Sequence, residues 1–374
     1  MAHKSGGTIL AHQYTNLEII HFKCKKTYFC TITFTGRMKF SSNKIFGALI
    51  VLAAASLMGC HKSSDSTEYM EGSLDYNIPL YALAGTSFTV TAGGITTPSS
   101  GVTYKWYSTM TDDTLKGQAG LKCTFTVPDS LARYTVTEAA SATGYYGNTS
   151  TSYCNSVIPY IGHSLKGVSA PTDSIMDPRD KQYYYITTAG NLDWFAENLN
   201  YKGSGAGYAN ADDAGYAFGR LYNWNDATGK VSGSGLGGGP QGACPPGWTV
   251  PTNEDWEDLA KALKGSEVSF LDNWTGLGQM LMVNATFNGE RFWPYAVLVN
   301  PQNKFGWNAL ATGTCANNYH YFTGLNTYAY FWSSTQMDSN NAYYRYLYYN
   351  LPNFPFNYAT KDDMGASVRC VRKH

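Results

Sequence analysis

The stretch "CPPGWTVPTNEDWEDLAKALKG", Cys244 to Gly265, holds the one convincing helix of the C-terminal 200 residues, and what it packs against decides the fold there. Thr252 is an N-cap candidate with Asp255 three residues on. Glu254 and Asp255 make an acidic first turn, Lys261 and Lys264 lie near the end, and Gly265 is the stop. Trp256, Leu259, Ala260 and Leu263 recur at helical spacing, which predicts one buried face. Nothing on that face points to chemistry; it reads as core. Around the helix, from about Asp173 to the end, the chain is rich in aromatics, glycine and asparagine.

Upstream, over 75–160, the texture changes to short alternating runs. In "GVTYKWYS" Val102, Tyr104 and Trp106 share one face; in "LKCTFTVPD" Leu121, Cys123, Phe125 and Val127 do. Turn-rich segments such as "TAGGITTPSSG" separate the runs, and that spacing predicts an all-β sandwich. This part resembles bacterial immunoglobulin-like modules, with Trp106 in the place of their buried strand tryptophan. Cys123 lies on an apolar face and Cys154 follows about thirty residues later, so the two are expected to pair. Residues 161–172 read as a linker, with His163 in solvent.

The most apolar run, Ile45 to Leu57, is about thirteen residues long, short of the roughly 20 a spanning helix needs. Lys39 and Lys44 precede it as the basic region of a secretory signal, and Met38 is a candidate start. Leu57, Met58, Gly59 and Cys60 resemble the lipobox of bacterial lipoproteins, in which the bond before the cysteine is cut and that cysteine is acylated. Residues 1–37 then read as a mis-assigned start, 38–59 as a lipoprotein signal peptide with Cys60 as the lipidation site, and 60–74 as a polar, flexible tether. A chain starting at Cys60 keeps 20 basic and 26 acidic residues, a net charge of −6. That charge argues against nucleic acid, whose phosphates demand basic patches. The implied place is the cell envelope: lipid-anchored, at the outer membrane, with surface exposure. Cys123, Cys154, Cys244, Cys315 and Cys370 follow Cys60, an odd set in an oxidising compartment, and their pairing stays open on arithmetic alone.

Five motifs of the C-terminal region, "DPRDKQYYYITTAGNLDWFAENLNY", "GRLYNWNDAT", "CPPGWTVPTNEDWEDL", "YFWSST" and "GASVRCVRK", resemble in this order the Fibrobacter succinogenes major paralogous domain. The likeness covers 173–374. It departs at the glycine-rich insert "KVSGSGLGGGPQGA" and over Val268 to Tyr330. That family is similar to the C-type lectin-like fold, which a formylglycine-generating oxidase group also shares. The resemblance implies an α+β domain with a mixed, mostly antiparallel sheet and long loops, following the N-terminal all-β immunoglobulin-like sandwich. It also implies a Cys244–Cys370 bridge, both lying in matched motifs, with Cys315 spare; Cys244–Cys315 is the alternative.

Catalytic candidates are few. Of the histidines after Cys60, only His320 lies inside the domain, and it has no companion at metal spacing. The oxidase relatives use a pair of reactive cysteines that bind copper, and a bridged Cys370 leaves too few, so no enzyme and no resident cofactor are expected. Calcium is the one ion the loops suggest: Asn225, Asp226 and Asp338 offer oxygens, although Asn and Asp are also ordinary turn residues. In "AYYRYLYYNLPNFPFNY" a strand sends Tyr344, Tyr346 and Tyr348 to one side. With Trp224 they are the candidate ligand-binding aromatics; the plain alternative is that tyrosine suits half-buried strands. The resulting expectation is a non-catalytic envelope lipoprotein whose lectin-like domain binds a glycan, peptide or protein. A structural or assembly component of the cell surface is the first alternative, and an oxidase-like enzyme the second.

Overall fold

The computed structural model describes residues 67–110, 120–158, 165–168 and 173–374. Cys60, the signal segment 38–59 and residues 1–37 lie outside them. The described residues form a β-rich fold with few helices. Its N-terminal part carries β1 (Glu68–Tyr69), β2 (Glu71–Gly72), β3 (Tyr81–Leu83), β4 (Ser87–Thr91), β5 (Ile95–Thr97), β6 (Thr103–Ser108), β7 (Lys122–Thr126), β8 (Arg133–Ser141), β9 (Tyr145–Tyr146) and β10 (Asn148–Val157). Strands β3, β10, β8 and β6 form one sheet in that order, and β4 pairs with β7 in another. The alternation predicted for these runs is what lets the sheets share a core. Val90, Cys123 and Phe125 from one meet Trp106, Val136 and Cys154 from the other. Trp106 is fully buried, its ring 5.0 Å from Tyr76 and 5.7 Å from Phe125, and its indole N–H donates to the Gly120 carbonyl at 2.9 Å.

Two expectations fail here. Cys123 and Cys154 are both free and buried. Each thiol faces its own strand's carbonyls and apolar neighbours, so the pair fills core volume without a bridge. The expected tether also stops short of residue 74. Glu68–Tyr69 pairs with Tyr145–Tyr146, Glu71–Gly72 pairs with β5, and Leu74 is buried. Polar composition hid this, because the backbone makes the pairing and the Tyr69 and Tyr146 rings close on each other at 4.9 Å.

The β8–β10 ladder runs from Ala140 opposite Asn148 to Arg133 opposite Asn155. Its Ala140 end abuts β9 and the first described strand. At its Arg133 end, Arg133 pairs with Glu290 at 3.1 Å, Asn155 meets Asn288, and Asp213 accepts from the Leu83 amide. The two ends are about 25 Å apart at ~3.4 Å per residue. Tyr81 and Val157 belong to the same apolar cluster as the C-terminal region, with the Tyr81 ring 5.4 Å from Phe218. Linker expectation gives way here too: β11 (Leu165–Lys166) pairs with β15 (Thr286–Phe287), which pairs in turn with β16 (Glu290–Arg291).

The C-terminal region holds two larger sheets. One runs β12 (Asp173–Met176), β13 (Tyr183–Ala189), β14 (Leu192–Phe195) and β22 (Val371–Lys373); the last strand of the chain thus closes on the third of this domain. The other runs in the order β18 (Tyr321–Leu325), β17 (Thr312–Ala316), β19 (Tyr328–Gln336), β20 (Asn341–Tyr348) and β21 (Phe356–Thr360). Short helices α1 (Gly215–Phe218), α2 (Trp224–Thr228) and α4 (Gly278–Leu281) flank the predicted helix α3 (Asn253–Lys264). Helix α3 starts in a capping box: the Thr252 hydroxyl accepts from the Asp255 amide at 3.2 Å, and the Asp255 carboxylate accepts from the Thr252 amide at 2.8 Å. It ends at left-handed Gly265, φ 73°. Trp256, Leu259 and Ala260 are buried in the cluster that takes Ala329, Phe331 and Leu347 from one face of the five-stranded sheet. The opposite face, through Trp332, Ala342 and Tyr344, packs on Tyr184, Ile186, Phe195 and Trp248.

Candidate functional site

The period of two that buries Trp332 and Tyr344 carries the same face out towards solvent. Tyr328 stands opposite Tyr348, Tyr330 opposite Tyr346, and Trp332 opposite Tyr344. Trp332 and Tyr344 are buried, whereas Tyr328, Tyr330, Tyr346 and Tyr348 are half-buried. The rings lean on one another like books. Tyr328 and Tyr348 are 4.5 Å apart with 12° between planes, Tyr328 and Tyr330 5.5 Å and 28°, Tyr330 and Tyr346 5.9 Å and 26°. Tyr344 closes the inner end edge-on to Tyr330 at 5.5 Å, and Tyr349 stands edge-on to Tyr348 at 4.9 Å. Burial pushes the Tyr344 phenol up to about 12, and the Tyr330 phenol is raised by burial and by its tyrosine neighbours. The Tyr330 and Tyr344 hydroxyls therefore stay protonated, and each phenol of the ladder can both donate and accept.

Stacking occupies the ring faces, so the ladder shows solvent its ring edges and phenolic hydroxyls. Among the described residues, no protein group hydrogen-bonds the Tyr328, Tyr330, Tyr346 or Tyr348 hydroxyl. The backbone is closed to an added strand, since β19 and β20 both lie inside the sheet.

Trp224 does not belong to this surface. It is buried, its indole N–H donates to the Ser333 carbonyl at 2.9 Å, and its ring lies beneath the Lys361 ammonium at 4.7 Å. The calcium candidates divide between two places that meet only through Lys361. Asp226 accepts a 2.6 Å bond from the Tyr319 hydroxyl, and the Asn225 amide donates to the Lys361 carbonyl. Asp338 is engaged by Asn340 and Asn341, donors that hold its carboxyl below the usual range. Between them the Lys361 ammonium donates to Gln336 Oε1 at 2.9 Å, Asp338 O at 2.8 Å and Ser339 O at 3.0 Å. An internal cation already fills the oxygen cage. No group of three or more His, Cys, Asp or Glu side chains suited to a metal occurs among the described residues.

The predicted Cys244–Cys370 bridge is present, with Cα atoms 5.8 Å apart, inside the core between the two larger sheets. Cys315 is free and buried, and burial pushes its thiol up to about 12; the same cause takes Cys123 to about 11 and Cys154 to about 12.

Residues 187–372 match the family model of the Fibrobacter succinogenes major domain. The C-terminal half of the chain belongs to that family. No curated protein matches the chain. In this Fibrobacter succinogenes major domain the motif residues serve the scaffold. The Trp224 N–H reaches Ser333 O, and the Trp332 N–H reaches Tyr222 O at 2.7 Å, so the "YNWND" and "YFWSST" segments cross-bond. Arg369 of "GASVRC" is fully buried. It donates to Asn198 Oδ1 at 2.7 Å and to the carbonyls of Phe195, Trp307 and Asn308, with its guanidinium 4.2 Å above the Trp307 ring. Arg345 is buried likewise, donating to the carbonyls of Phe270, Asp272 and Phe354 within a box of Phe270, Trp274, Phe354 and Phe356. Burial lowers Arg369 to about 9 and Arg345 to about 8. Glu197, from "WFAENLN", is the counterpart acid: one oxygen accepts from the Tyr185 amide, the other has no partner, and burial raises it to about 8. Sequence reasoning passed over all three because charged residues normally read as solvated. The outer ladder residues Tyr346 and Tyr348 lie beyond the quoted motifs.

Proposed function

We propose that this chain is a lipid-anchored, non-catalytic protein of the cell envelope. On this reading an immunoglobulin-like sandwich acts as a stalk, and the lectin-like terminal domain binds a glycan, peptide or protein ligand. The observation that carries the binding reading is the tyrosine ladder: four half-buried phenols whose hydroxyls have no partner among the described residues, on a face that a disulfide-stapled core holds still. The stalk reading draws support from the β8–β10 ladder, which sets the first described strand about 25 Å from the contacts with the terminal domain. Trp106 packed on Tyr76 and Phe125 fits an immunoglobulin-like core, and the Cys244–Cys370 bridge fits an oxidising compartment. Among the described residues no helix is long and apolar enough to cross a membrane, and the reading places the anchor at Cys60. A reactive thiol pair is not supported among the described residues: Cys370 is bridged, and the free thiols Cys123, Cys154 and Cys315 are buried with thiolates disfavoured.

Assembly at the surface is the second reading, and the loop after Trp293 favours it. There Tyr295, Val297 and Leu298 are 78%, 84% and 75% exposed, an apolar tip suited to a protein contact. A glycan and peptide array probed with the full chain, alongside sizing, separates the two. Retention on the array supports ligand binding. No retention together with self-association that Val297→Ser abolishes supports assembly. Mass spectrometry of membrane-extracted protein tests acylation at Cys60, and an unmodified cysteine there removes the anchor.

A further inference from the structure

The ladder also indicates what kind of ligand it takes, granted the binding reading above. Rings stacked at 12° to 28° have spent their faces on each other, so a ligand cannot lie flat on them as on an aromatic platform. It meets edges and phenolic hydroxyls instead. Each hydroxyl both donates and accepts, and among the described residues no protein group engages the four outer ones. The strands that bear them carry almost no charge. Between Lys304 and Lys361 the charged residues are Asp338, held by its own turn, and Arg345, buried in its aromatic box. An anionic polymer therefore finds no cation on these strands. A peptide finds no open strand edge on β19 or β20 and no charged anchor. From Tyr346 to Tyr348 the face runs about 7 Å at ~3.4 Å per residue, a length for one or two sugar units.

We propose that the ladder formed by Tyr328, Tyr330, Tyr346 and Tyr348 binds a neutral, polyhydroxylated glycan chain edge-on, hydroxyl to hydroxyl, without calcium. The ligand's hydroxyls exchange their water bonds for bonds to a row of phenols whose positions the stacking fixes beforehand, and that lowers the ordering cost of binding.

The test uses the full chain in affinity electrophoresis, with mixed-linkage β-glucan, xyloglucan, glucomannan and dextran as neutral probes and polygalacturonate and dextran sulfate as anionic ones. The variant is Tyr328→Phe/Tyr346→Phe/Tyr348→Phe, which keeps every ring and its stacking and removes only hydroxyls; near-UV circular dichroism reports the retained fold. The expected result is retardation by at least one neutral polymer, indifferent to EDTA and to salt, and about tenfold weaker in the variant. Full affinity in the folded variant overturns the proposal, and so does retardation by the anionic polymers alone or loss of binding in EDTA. Should no neutral polymer retard the chain while a peptide array retains it and the variant is not retained, the glycan assignment falls and the binding reading survives. Silence on both panels removes both.

Discussion

Opening the Cys244–Cys370 bridge is expected to cost more than any single side chain described above. The half-cystines are 126 residues apart. In the chain-entropy model a loop of that length restrains the unfolded chain by about 5 kcal/mol at 25 °C. Both sulfurs are also fully buried between the two larger sheets, so Cys244→Ala/Cys370→Ala adds a small cavity, worth about 1 to 2 kcal/mol more. At roughly 2 to 4 °C per kcal/mol for a domain of this size, the midpoint should fall by about 12 to 28 °C. Reduction alone separates the two contributions, since it frees the chain while leaving the sulfurs in place. The assay is urea unfolding followed by tryptophan fluorescence, with and without a phosphine reductant, with alkylation counted by mass to verify that two further thiols have opened. An opened bridge with a midpoint moved by less than the equivalent of about 1 kcal/mol would refute the reasoning.

Other outcomes follow from the buried charges and the loop oxygens. Glu197 is protonated more readily in the folded chain than when unfolded, so its contribution is intact below about pH 4.5 and is lost as pH rises through about 8. Glu197→Gln should flatten that decline, on the order of 3 to 5 kcal/mol between pH 5 and 9, and an unchanged stability-versus-pH curve would show the acid is relieved some other way. Arg369→Met leaves Asn198 Oδ1 and three carbonyls without their donor and should cost about 3 to 5 kcal/mol in denaturant titrations; a cost under about 1 would mean those groups find water. Because Lys361 fills the oxygen cage near Asp338, millimolar calcium should leave the melting midpoint where EDTA leaves it, and a clear upward shift would reinstate a metal site.

What could be read in advance was local. Helix α3 announced itself because its cap, acidic first turn and terminal glycine all act within a turn or two of chain. The two faces of β20 were legible because a period of two needs no knowledge of neighbours. Misreadings came from distance. Arg369 owes its burial to carbonyls contributed from Phe195 to Asn308, and nothing near "SVRC" indicates them. Trp224 looked like a ligand aromatic and is a strut, because its partner Ser333 lies on β19, 109 residues further along the chain. The glycine-rich insert looked like a departure from pattern. In the fold, Gly235 and Gly237 donate their amides to Glu254 and Asp255 at the head of α3, and a Cβ on Gly239 would lie 1.9 Å from the Val250 carbonyl. A side chain there has no room.

The shared cluster around Tyr81 has a practical corollary. The ring that β3 inserts lies 5.4 Å from Phe218 and 6.3 Å from Phe287, and Phe218 in turn meets Phe287 at 5.3 Å and Phe292 at 5.5 Å. Cutting the chain at residue 170 to harvest the last two hundred amino acids would unroof that greasy socket. The excised piece should be sticky in solution, and a stickiness created by the scissors would masquerade as ligand capture in any pull-down.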